Sequence, residues 1–138
     1  MSEKKIVHIA LITKNSDIML TDSLQERAAY AIKDLCSEKG WGVLSITIRP
    51  QLAHAELALP LELPNGVAMK EMKDAIANKL FELDPDLKER KKGQLWDHSS
   101  VVIENAKGDT EYPKELEDKI QQAIAFAYPG KHPSANYH

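Results

Sequence analysis

The chain has 138 residues, 43% of them hydrophobic, enough for one domain around a single sizeable core. A formal net charge of -3 excludes nucleic-acid binding driven by overall charge and leaves only a local basic patch for that purpose. No apolar run approaches the roughly 20 residues that cross a bilayer, so no membrane is expected as a partner.

Met1-Ser2-Glu3-Lys4-Lys5 is polar and lacks the apolar core of a signal peptide. Residues 6–13 are rich in β-branched side chains and apolar on both faces, which predicts a central strand. Lys14-Asn15-Ser16-Asp17 is a turn cluster. A helix is expected over residues 21–39, with Ser23 and Glu26 as a capping box and Thr21 and Asp22 as competing caps. Its apolar stripe is Leu24, Ala28, Ala31, Ile32, Leu35 and Cys36, and Gly40 stops it. Cys36 is the one cysteine, so no internal disulfide forms; a small buried apolar role and a reduced, cytoplasmic setting follow.

Residues 41–48 and 52–59 read as two strands joined by the short connection Arg49-Pro50-Gln51. Alternation puts Leu52, His54 and Glu56 on one face and Ala53, Ala55 and Leu57 on the other. The small-residue face suits packing under helices. A second helix is expected from about 67 to 83, with Met69, Met72, Ile76, Leu80 and Leu83 inward. Asp84-Pro85-Asp86 breaks it, residues 87–92 form a charged turn or short helix, and residues 95–104 a fourth strand. A turn over 105–110 leads to a third helix, residues 114–127, with the stripe Leu116, Ile120, Ala123, Ile124 and Ala127. We take residues 1–128 as one domain and 129–138, rich in Pro, Gly, Ser and Asn, as a flexible tail.

The order β-α-β-β-α-β with an additional C-terminal helix predicts an α+β, ferredoxin-like fold. Both main helices would lie on one sheet face. The other stays open unless the last helix or another subunit covers it.

Several phrases recur in a known order. His8-Ile9-Ala10-Leu11-Ile12-Thr13-Lys14 ends the first strand, and Gly40-Trp41-Gly42-Val43-Leu44 opens the second. Arg49-Pro50-Gln51-Leu52-Ala53-His54-Ala55-Glu56-Leu57 follows, then Met72-Lys73, Asp84-Pro85-Asp86-Leu87 and Leu95-Trp96-Asp97-His98-Ser99. Over residues 5 to 125 this resembles the single-tyrosine HUH transposases of small insertion sequences and their repeat-associated relatives. The resemblance implies a homodimer acting on single-stranded or hairpin DNA, with two histidines holding a divalent ion, magnesium or manganese, and a tyrosine nucleophile on the last helix. Here Leu52 stands for the first histidine and only His54 remains. The tyrosine phrase matches Lys119-Ile120-Gln121-Gln122-Ala123, which has no tyrosine; Tyr112 precedes that helix and Tyr128 follows it. Strand transfer needs nucleophile and metal in line with the phosphate, so losing both argues against cleavage.

Individual residues carry two readings each. His54 with Glu56 is either a remnant metal or acid/base pair, with His8 or His98 as third ligand, or a hydrogen-bonded polar pair on an open sheet face. Lys88, Arg90, Lys91 and Lys92, extended by Arg27, Lys70 and Lys73, either contact a phosphate backbone or form a solvated loop. Trp96 and Trp41 either stack bases or anchor the core. The leading expectation is a transposase-like DNA-binding protein without competent cleavage. Its rivals are a structural or regulatory dimer that has lost DNA binding and a metal-dependent enzyme of altered chemistry.

Overall fold

An apolar run broken only by His8 drives the first strand, β1 (Lys4–Ile12), into the middle of a sheet, where residues 7–12 are buried. The computed structural model describes residues 3–13, 20, 22–86, 95–96, 100–105 and 114–127. After β1 come α1 (Asp22–Lys39), β2 (Gly42–Arg49), β3 (Leu52–Pro60), α2 (Asn65–Leu83), β4 (Val101–Glu104) and α3 (Lys114–Ala127). The strands form one antiparallel sheet in the order β2-β3-β1-β4. This is the α+β, ferredoxin-like arrangement expected from the sequence.

The two faces of the sheet bury different helices. Val7, Ile9 and Leu11 of β1 and Ala53, Ala55, Leu57 and Leu59 of β3 pack under α1 and α2. From α1 come Ala28, Ala31, Ile32, Leu35 and Cys36; from α2 come Ala68, Met72, Ile76 and Leu80. Small residues on β3 let the helices approach the sheet closely. Leu24 and Met69 sit at the rim of this core. Leu83, expected inside, is 49% exposed, because the buried stripe of α2 runs through Ala68, Met72, Ile76 and Leu80 and leaves the last residue beyond the sheet.

On the opposite face, Leu116, Ile120 and Ile124 of α3 pack against Ala10, Ile12, Leu52, Val101 and Ile103. The third helix therefore covers the β1–β4 half of that face. Ser45, Thr47 and Arg49 of β2 stay exposed beside it.

Local chemistry explains the boundaries. Gly40, at φ 76°, ends α1, and the Trp41 N–H bonds the Cys36 carbonyl at 2.9 Å, a Schellman closure. Helix α1 starts at Asp22, so Ser23 lies in its first turn and is not the residue before it. Pro50 and Gln51 alone join β2 to β3, and Leu44 is an extra residue in the ladder between Val43 and Ser45. Of the expected strand 95–104, the described residues give β4 as Val101–Glu104 and Trp96 as an isolated bridge to Thr13. Residues 14–19, 87–94, 97–99, 106–113 and 128–138 lie outside the described residues. They include the expected turns at 14–17 and 106–110, Arg90, Lys91, Lys92, His98, Tyr112, Tyr128 and the tail.

Candidate functional site

The short connection between β2 and β3 fixes the register of the candidate site. Arg49 faces Leu52, Thr47 faces His54 and Ser45 faces Glu56. On the other side of β3, Ile12 faces Leu52, Ala10 faces His54 and His8 faces Glu56. Facing residues share a side of the sheet, so His8, His54, Glu56, Ser45 and Arg49 gather on the side that α3 partly covers.

His8 and His54 are both buried. Nδ1 of His8 and Nε2 of His54 lie 3.2 Å apart, a hydrogen bond between imidazoles. The ring planes are 15° apart and the centroids 5.4 Å. That separation is close to the N–N distance plus the two ring radii, so the rings meet edge to edge and not face to face. Nε2 of His8 lies 3.6 Å from a Glu56 carboxylate oxygen, and the Ser45 hydroxyl donates to the other oxygen at 3.3 Å. Burial lowers the His8 pKa, and the Glu56 charge only partly offsets this. Burial, then His8, then Arg49 lower His54 to about 4, against an opposing pull from Glu117. Both rings are therefore neutral at pH 7, and the pair shares one N–H.

The Glu56 carboxylate favours the His8 tautomer with its proton on Nε2. Nδ1 of His8 then accepts, and His54 donates from Nε2. Glu117 of α3 reaches Arg49 at 3.7 Å; both are nearly half exposed, so this contact adds little stability. The register already placed Arg49 and Ser45 here, since a two-residue hairpin sets which residues face β3. Glu117 has no such sequence signal, because its place depends on how α3 docks.

A divalent ion was expected on His54 and Glu56. Two nitrogens on one tetrahedral ion lie about 3.3 Å apart with their lone pairs converging on a third point. Those of His8 and His54 are 3.2 Å apart but aimed at each other, and the Glu56 carboxylate lies on the far nitrogen of His8. Among the described residues no group of three or more His, Cys, Asp or Glu side chains is placed to hold a metal. The residues present do not fit the ion in this arrangement. Leu52, where the resemblance expects the first histidine, is buried in the core under α3.

The expected nucleic-acid residues lie elsewhere. Lys73 is on α2, across the sheet from His54. The Trp96 indole N–H donates to the Lys73 carbonyl at 3.0 Å, and its ring is partly buried against the main core. The structure brings these two together, as Lys73 and Trp96, but not with His54 and Glu56. Trp41 is a buried core residue.

The family model for IS200-like transposases matches residues 2–112. The chain belongs to that family. The match ends before α3, the helix on which the resemblance places the nucleophile. The fold is similar to that of a candidate transposase from Deinococcus radiodurans R1, with a TM-score of 0.77 at 22% identity over 93% of this chain and 94% of that one. It is also similar to a REP-associated tyrosine transposase bound to a REP hairpin, with a TM-score of 0.56 at 12% identity over 96% of this chain and 72% of that one. No curated protein matches the chain in sequence. No helix among the described residues of this IS200-like chain is long and apolar enough to cross a membrane.

Proposed function

We propose that this IS200-like protein binds single-stranded or hairpin DNA as a cytoplasmic homodimer and does not cut it. The observation that carries this reading is the state of the catalytic face. Leu52 is core under α3, His54 is bonded to His8, and the helix that should bring a tyrosine brings Glu117 toward Arg49 and His54. A phosphate entering there meets two carboxylates and neutral histidines, with no nucleophile on α3. DNA contacts fall to Lys73, Arg90, Lys91 and Lys92 through the backbone, with Trp96 beside Lys73 as an aromatic wall. The REP hairpin held by the similar transposase is the model for the ligand. One domain, residues 1–128, carries the function.

The test is fluorescence anisotropy of labelled hairpin and unstructured single strands at two salt concentrations, with and without manganese, alongside a gel assay for cleavage and covalent adduct. Salt-sensitive binding that prefers the hairpin, with no cut strand, is expected. Cleavage or an adduct overturns the second half of the reading. No binding at low salt overturns the first half and favours the structural or regulatory dimer.

A further inference from the structure

The expected metal position is filled by contacts of its own. Glu56 faces His8 on β1 and Ser45 across the hairpin, and His8 reaches diagonally to His54. Three side chains from two strands thus form a line: carboxylate, imidazole, imidazole. Each nitrogen in the line has a defined role once the carboxylate fixes the first proton. The Nε2 atom of His54, which in this arrangement points along the line, is engaged by Nδ1 of His8.

We propose that Glu56, His8 and His54 form a cation-free line, a hydrogen bond between the two imidazoles and an electrostatic contact of 3.6 Å from the Glu56 carboxylate to His8, that has taken over the donor atoms of the metal position, so that no divalent ion binds there. In this line Glu56 is a positioning residue. It sets the tautomer of His54 through His8, without touching His54. The proposal rests on the reading of a non-cleaving face but not on DNA binding, so failure to bind a hairpin leaves it intact.

Two measurements on the full chain test it. Titration with manganese and with zinc, followed by calorimetry, is expected to give no saturable binding. Stoichiometric binding that disappears in His54→Ala overturns the proposal. Long-range ¹⁵N–¹H spectra at neutral pH are expected to show both histidines with the proton on Nε2. In Glu56→Leu, which removes a side chain that contacts His8, the tautomer populations of His8 and His54 are expected to shift together. A shift confined to His8, or either ring protonated on Nδ1 in the native chain, overturns the linkage. Circular dichroism on each variant confirms that the fold persists, and since the spectra of the native chain need no substitution, misfolding of a variant leaves that test standing.

Discussion

His8 and His54 lie on adjacent strands but do not face one another. The register sets His8 opposite Glu56 and Ala10 opposite His54, and the two imidazoles meet on the diagonal, 3.2 Å apart. Diagonal neighbours on paired strands lie within reach of ring side chains.

Acid sensitivity follows from that buried pair. An unfolded histidine titrates near 6.5, whereas His54 in the fold titrates at about 4, with burial as the main cause. His8 is displaced in the same direction. Between those pH values the unfolded chain holds a proton that the folded chain lacks. Stability therefore rises with pH through this window, levels off above it and falls on acidification. His54 alone contributes up to about 3 kcal/mol of that fall. Urea denaturation from pH 7 down to pH 4.5 should show the loss. His54→Leu should flatten the profile, and an unchanged profile in that variant would assign the sensitivity to other groups.

The docking of α3 is the second expectation. Ile120 is buried against Ile12, Leu52 and their neighbours, while Lys119 beside it is exposed. Ile120→Ala should cost about 2–4 kcal/mol, and Lys119→Ala should stay within about 0.5 kcal/mol. Equal small losses in chemical denaturation would mean that α3 is not held on the sheet.

Much of this was legible in the sequence. The alternation through Leu52, His54 and Glu56 set the two faces of β3, because a period of two leaves no freedom once a strand is assigned. The stripes of α1 and α3 followed from helical spacing in the same way. Pattern failed where local irregularity decided. Leu44, the extra residue between Val43 and Ser45, shifts the β2–β3 ladder, and apolar content does not report a bulge. The His8–His54 contact needed the β1–β3 register, which depends on pairing between distant segments. His8 could be named as a neighbour of the site, but its bond to Nε2 of His54, which engages the nitrogen expected to hold the ion, could not be read.

Cys36 offers a probe of opening. It is 1% exposed, and burial pushes its thiol up to about 11. Neither access nor thiolate is available at neutral pH. Alkylation by iodoacetamide should be slow in the native chain and fast in urea, with the transition tracking global unfolding. Rapid modification of the native chain would show that the α1 layer opens locally.

Trp96 separates packing from recognition. Its indole N–H bonds the Lys73 carbonyl, and its ring leans on the main core, yet part of it remains exposed beside Lys73. Trp96→Phe keeps an aromatic face and loses the N–H, so it should cost about 1 kcal/mol of stability with hairpin affinity nearly retained. Trp96→Ala removes the face as well. If the ring stacks a base, affinity should fall by about 1–3 kcal/mol, read by anisotropy under conditions where the variant is folded. If it is only a wall of the core, stability falls and affinity does not. Either result bears on Lys73, whose backbone Trp96 holds. Should both variants bind the hairpin as the native chain does, the ring takes no part and the DNA contacts come from Lys73 and from the run at Arg90, Lys91 and Lys92. Replacing those three with alanine should then lower affinity and flatten its salt dependence.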